Sequence, residues 1–280
     1  MPTVLILSSF VAASRVGGMV QALALAELKI DPIVVPTVLF GRHPGWGPPG
    51  GGPVTTEVFD GMLEGVEAGG YFASADVVIT GYFASAAQVR AAARTIDVVR
   101  AARPVGPSTK LRIIVDPIMG DAGEFYVSAE VAGAIVSELL PRADLIAPNA
   151  WELERLSGMS VTDPASAWRA ARRLGKPVLV SSVPCGSEIG VLYADATGAW
   201  LAAHARQPKA PKGVGDLLTA LFAAALIQQQ PIAQALARSV GGIAETVLAA
   251  KLTNADELPV VAMGARIGRT TPAVRIERLR

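Results

Sequence analysis

The chain has 280 residues, 51% of them hydrophobic, with a net charge of +1 and one cysteine. That composition excludes a disordered chain and a broadly basic nucleic-acid binder, and the lone Cys185 excludes an intrachain disulfide and any multi-cysteine metal site. A soluble, cytoplasmic α/β protein fits, with abundant Ala suited to helices packed closely over a sheet.

No membrane partner is expected. Residues 4–7 lack a basic flank and are too short for a signal sequence, and the apolar run 217–227 falls far short of the ~20 residues that span a bilayer. The only local charge excess, Arg266, Arg269, Arg275, Arg278 and Arg280, has no interleaved aromatic residues, so it reads as a solvated tail and not as a nucleic-acid patch.

Val4-Leu5-Ile6-Leu7 is a continuous apolar run ending at Ser8-Ser9, the pattern of a buried parallel strand that presents two hydroxyls at its C-terminal edge. A helix is predicted near 16–28. The connection holds Gly17-Gly18 but not G-x-G-x-x-G, which argues against a dinucleotide-binding domain. A second strand covers 33–38. Residues 39–54 are so rich in Gly and Pro that no regular element is expected there. A loop of this length in a compact domain is often a lid, and His43 and Trp46 either pack on the surface or close over a flat ligand.

A helix over 55–65 precedes a third strand, 76–80, which ends in Gly81-Tyr82-Phe83; a helix over 85–102 and a turn-rich connection, 103–110, come next. The fourth strand, 111–115, delivers Asp116-Pro117-Ile118-Met119-Gly120-Asp121-Ala122-Gly123 to the same sheet edge. Two carboxylates, a turn-fixing proline and two glycines form an ordinary tight turn, and equally suit a loop that holds hydrated Mg²⁺ against phosphate oxygens. A helix over 129–140 leads to a fifth strand, 144–147. Asn149 with Glu152 three residues on reads as a capping-box helix start, closing at 155–158. After a helix over 164–174, a sixth strand, 177–180, opens into Ser181-Ser182. Two antiparallel segments, 189–193 and 199–203, follow around the turn 195–198.

The stretch Lys212-Gly213-Val214-Gly215-Asp216 then runs into an Ala/Leu-rich helix predicted over 216–229. Its first-turn N–H groups form an anion cradle, with Gly213 and Gly215 carrying no Cβ to obstruct a ligand. Asp216 is either an N-cap of this helix or a base that takes a hydroxyl proton while the amides steady a phosphoryl group. A helix over 232–250 follows, and from residue 254 helix and strand patterns balance. No internal repeat is present. The alternation predicts a doubly wound, mostly parallel sheet with Ser9, Tyr82, Asp116, Asn149 and Ser182 beyond the C-terminal strand ends, where α/β proteins bind ligands.

Taken together, Thr80-Gly81-Tyr82-Phe83-Ala84-Ser85, Asp116 to Gly123 with Phe125-Tyr126-Val127, Ala147-Pro148-Asn149 with Glu152, and Gly213-Val214-Gly215-Asp216 resemble, in order and spacing, the pyridoxal kinase family of the ribokinase-like fold. The resemblance covers nearly the whole chain. The DPxMGDxG block with its Tyr-Val separates pyridoxal kinases from sugar kinases, whereas GxGD marks only the superfamily. It implies a single domain over 1–280, a three-layer αβα sandwich around a mostly parallel sheet, with 39–54 as substrate loop. It also implies ATP-dependent phosphorylation of the 5′-hydroxymethyl of pyridoxal by a cytoplasmic homodimer using Mg²⁺, often with K⁺. By that resemblance Asp216 is the catalytic base, and Gly213, Val214 and Gly215 form the anion hole. Asp116 and Asp121 lie near the triphosphate and metal. Asn149 and Glu152 organise metal and phosphates, with Asp116 and Glu152 as the metal pair, and Ser182 contacts nucleotide. Ser9, His43 and Tyr82 line the pyridine pocket.

The departures fall on the substrate side. Arg42-His43-Pro44 stands where many members have Asn-His-Thr, and Phe10 follows Ser9 where His is common. Ala147 and Val214 replace threonines. Phosphoryl transfer is thus better marked than the acceptor, and the alternatives are a hydroxymethylpyrimidine kinase or a non-catalytic vitamer-binding protein.

Overall fold

The computed structural model describes residues 1–103, 111–121 and 123–279. Most of the predicted connection 103–110, with Ala122 and Arg280, lies outside the described residues. The apolar run at the N-terminus forms β1 (Thr3–Val11), which extends past the two serines instead of ending at them. Then come α1 (Gly17–Glu27), β2 (Asp31–Phe40), β3 (Gly51–Pro53), α2 (Thr56–Ala68), α3 (Tyr71–Ser74), β4 (Ala75–Thr80) and α4 (Ala86–Ala102). The middle of the chain supplies β5 (Arg112–Val115), a small hairpin of β6 (Gly120–Asp121) and β7 (Glu124–Phe125), α5 (Ala129–Ala134), β8 (Leu145–Ile146), α6 (Ala150–Ser157) and α7 (Pro164–Arg173). The last part holds β9 (Val178–Cys185), β10 (Glu188–Asp195), β11 (Gly198–Ala205), α8 (Val214–Ile227), α9 (Ile232–Leu252), α10 (Val260–Met263) and β12 (Arg275–Leu279).

One ten-stranded sheet runs in the order β12-β11-β10-β9-β8-β5-β4-β1-β2-β3. From β9 to β2 the neighbours are parallel, and antiparallel strands finish both edges. Alternate side chains of β1 divide between two cores. Val4 and Ile6 meet α1, α8 and α9, while Leu5 and Leu7 meet α2 and α4. A third cluster joins α6 and α7 to Val178, Val180 and Leu201. The fold is therefore helices on both faces of a mostly parallel sheet, as the alternation of elements dictates. Strand β1 leads outward to β2, and β4 leads the other way to β5, so the crevice where α/β ligands bind opens between the C-terminal ends of β1 and β4.

Two expectations are corrected. The Gly/Pro-rich segment does hold regular structure: a 3₁₀ turn at Pro44–Trp46, and β3, whose Gly51 and Pro53 pair with Phe40 and Val38 of β2. An edge strand tolerates Pro because one side needs no ladder donor. The arginine-rich terminus is not a free tail. Arg275 pairs with Glu188 at 2.9 Å, and the Arg278 guanidinium lies 5.9 Å from the centre of the Trp200 ring, so β12 is fastened to β10 and β11.

Candidate active site

Gly213, the N-cap of α8, has a φ of 87°, in the left-handed region. A Cβ there would stand 2.3 Å from the Arg15 carbonyl oxygen, so only glycine lets the turn seat against the β1–α1 connection. Gly215 faces open space, and the Val214 side chain packs on the core, which leaves the first-turn N–H groups turned outward. The two glycines thus serve different ends. Gly213 permits close packing, and Gly215 keeps the ligand side clear.

Asp216 does not cap this helix; the N-cap is Gly213, with no side-chain bond. Its Oδ2 instead accepts a 2.8 Å hydrogen bond from the N–H of Gly17, across to the start of α1. Its Oδ1 is enclosed and has no hydrogen-bond partner. Burial pushes this carboxyl up to about 6, against the pull of the Gly17 N–H. Gly17 also has positive φ, and a Cβ on it would overlap Ser9 Oγ at 2.1 Å, so Ser9, Gly17 and Asp216 form one tight group.

The other wall is hung from Glu152. The predicted capping box is present: Asn149 accepts from the Glu152 N–H at 2.9 Å, and Glu152 Oε2 accepts from the Asn149 N–H at 2.9 Å. The same carboxylate also accepts from the N–H groups of Met119 (2.9 Å) and Gly120 (3.3 Å), and Asn149 Nδ2 donates to the Gly120 carbonyl at 2.9 Å. The box therefore both starts α6 and grips the loop that follows β5. Burial pushes Glu152 up to about 7, even though three backbone donors pull it down. Asp116, 7% exposed, accepts from the Thr219 hydroxyl at 3.1 Å. Burial first, then the charges of Glu152 and Asp216, raise it well above the usual carboxylate range.

Asp116, which both Glu152 and Asp216 repel, suits a divalent cation, although among the described residues no cluster of three ligating side chains could hold a metal by itself. Mg²⁺ commonly binds through one or two carboxylates, with water and phosphate completing its shell. Asp116 fits a direct ligand. Glu152, with both oxygens already accepting from backbone, fits a positioning role better than the direct metal contact expected of it.

On the substrate side, His43 Nδ1 accepts from the Gly45 N–H at 2.9 Å, which leaves Nε2 to carry the proton. Its backbone N–H donates to Ser14 Oγ at 3.2 Å, and its ring lies 6.4 Å from Trp46. Burial and the Lys212 charge lower its pKa, so the loop tip lies near the anion turn. Half-buried Tyr82 is held through its carbonyl, which accepts from Thr37 Oγ1 at 2.6 Å. Asp121 lies on the exposed β6–β7 hairpin. Ser182 does not follow a strand end; it is an exposed, positive-φ residue within β9, next to an irregularity in the pairing with β10. Gly17, which the sequence offers only as part of a Gly-Gly connection, and Thr219, which it does not mark, are drawn into the site by the fold. Thr219 stands three residues after Asp216 on α8, a spacing that shares a helix face.

Residues 74–260 match the phosphomethylpyrimidine kinase family model. The chain is 33% identical over 260 residues to the pyridoxine/pyridoxal/pyridoxamine kinase of Bordetella avium, covering 89% of this chain and 86% of that one. It is 30% identical over 255 residues to a pyridoxal kinase of Deinococcus radiodurans, covering 86% and 84%. Its fold superposes on the pyridoxal kinase of Leishmania donovani in complex with ADP and pyridoxine with a TM-score of 0.91, at 26% identity and 99% coverage of both chains. A crevice at the β1–β4 switch, an anion turn with its carboxylate, and these likenesses along nearly the full chain agree: the protein belongs to the pyridoxal kinase family of the ribokinase-like superfamily.

Proposed function

We propose that this chain transfers the γ-phosphoryl group of ATP to the 5′-hydroxymethyl of pyridoxal and related B6 vitamers, with Asp216 as the base. The observation that carries this reading is the state of the Asp216 carboxylate, one oxygen held by the Gly17 N–H and the other enclosed and unpartnered. A buried acceptor without a donor is costly unless a ligand supplies the donor, and a substrate hydroxyl is such a donor. The fixed oxygen sets the orientation, and the bare one takes the proton. With a loose transition state the proton moves late, so most of the rate comes from the anion hole of Gly213, Val214 and Gly215 that meets the migrating charge.

Ser9, the Nε2–H of His43 and Tyr82 line the pyridine pocket. Asp121, Asn149 and Ser182 face the nucleotide. Asp116 would hold Mg²⁺, with Glu152 fastening the loop around it; when bound, the ion neutralises charge on the phosphates. K⁺ dependence, a homodimer and a cytoplasmic home complete the reading. No helix among the described residues is long and apolar enough to cross a membrane, and no nucleic-acid partner is proposed.

The matching family model is named for a pyrimidine phosphate kinase, which favours hydroxymethylpyrimidine as the second acceptor. A coupled ADP-release panel over pyridoxal, pyridoxine, pyridoxamine, hydroxymethylpyrimidine and a pentose tests both. The vitamers should drive ADP formation most efficiently. A clear preference for the pyrimidine would replace the proposal with the second reading. Tight pyridoxal binding by calorimetry, with no ADP at any Mg²⁺ concentration, would make the chain a vitamer-binding protein.

A further inference from the structure

The β1–α1 connection holds Asp216 in place, and what holds that connection comes from the far end of the chain. Glu257 Oε2 accepts a 2.7 Å hydrogen bond from the backbone N–H of Arg15. The Arg15 carbonyl abuts Gly213, and two residues on, Gly17 donates to Asp216. Glu257 is anchored from its core side: Leu258, 1% exposed, sits in the core with Val260, while Asp256 pairs with Lys209 at 2.8 Å on the open surface.

We infer that Glu257 is a positioning residue for phosphoryl transfer: by capturing the Arg15 N–H it fixes the Arg15–Gly17 turn, which seats the anion cradle and sets the rotamer of Asp216. This rests on the reading of Asp216 as the base. The contact is to a main-chain donor, so it depends on where the acceptor oxygen lies and not on the Arg15 side chain or on the charge of Glu257. The charges of Lys212 and Glu257 both reach His43, in opposite directions. A purely electrostatic role for Glu257 is therefore the natural rival.

Reach and charge separate the two. Glu257→Gln keeps an acceptor oxygen at the same distance and loses the charge. Glu257→Asp keeps the charge but is one methylene short, enough to break a 2.7 Å bond. With purified full-length variants, kcat for Glu257→Asp and Glu257→Ala should fall about ten- to a hundredfold, the scale of a small misplacement of reacting groups. KM for ATP should stay within about twofold, and Glu257→Gln should stay within about threefold of the parent kcat. Thermal melts identify loss of folding; should Glu257→Ala not fold, the Asp and Gln pair still decides. Parent-like kcat in Glu257→Asp, or a Gln variant as impaired as the Ala variant, overturns the inference. Asp216→Asn run alongside keeps the two claims apart. If it retains turnover, the base assignment fails. If it loses turnover while Glu257→Asp does not, only the positioning role fails.

Discussion

The two walls of the cleft each bury a carboxylate, and they treat it differently. On the β5–α6 wall, Glu152 accepts from three backbone N–H groups, those of Met119, Gly120 and Asn149. On the α1–α8 wall, Asp216 has one donor, Gly17, and an oxygen with none. Both are raised by burial, Glu152 to about 7 and Asp216 to about 6. The contrast lies in what each can still do. A carboxylate whose oxygens already accept from the backbone is a fastener for a loop, whereas one left half-satisfied and pre-aimed is available to a ligand.

The largest expected effect tests the half-satisfied wall. Asp216→Asn keeps an acceptor for Gly17 but cannot take a proton, so kcat should drop between about 10² and 10⁴, with KM for ATP little changed. Steady-state ADP release measures it, and near-normal turnover would erase the distinction between the walls. The second effect tests the fastener. Glu152→Ala leaves three buried N–H groups without their acceptor, at roughly 1 kcal/mol or more each, so at about pH 4.5, where ionisation of this raised carboxyl does not yet oppose folding, stability should fall by about 3 kcal/mol. Urea unfolding reads this directly, and an unchanged midpoint at constant m would show that the loop does not hang on Glu152.

The same contrast explains what was legible in the residues. The order of strands and helices follows from apolar runs such as 4–7 and 111–115, and the Asn149–Glu152 cap was readable because its partners are three residues apart. That Glu152 also grips Met119 and Gly120 was hidden, since those contacts span 33 and 32 residues. The Gly17–Asp216 bond spans 199 and the Arg15–Glu257 bond 242, and both use main-chain donors that leave no mark on residue type. Residues 51–53 read as loop because Gly and Pro disfavour strands, but β2 supplied a partner and the edge position removed the objection to Pro53. The terminal strand was ambiguous for a similar reason: Arg275-Ile276-Glu277-Arg278-Leu279 is too short, and puts a charge and an apolar residue on each face, so no period is marked until β11 pairs with it.

The last effect follows the half-satisfied wall with pH. The folded-state pKa of Asp216, about 6, lies above its ordinary value of 3.8, so the folded protein binds this proton more tightly than the unfolded chain does. The ionised group therefore opposes folding. Its cost is absent below about 4, grows between about 4 and 6, and is complete above about 6. Asn carries no charge and still offers Gly17 an acceptor, so Asp216→Asn should be more stable than the parent by about 3 kcal/mol at pH 8. The gain should vanish as the pH is lowered toward 4, where both side chains are neutral. Thermal melts of the two proteins from pH 4 to 8 measure the gap. A gap independent of pH would mean that the Asp216 carboxylate is compensated in the folded state, in which case the bare oxygen stores no strain for a substrate hydroxyl to relieve.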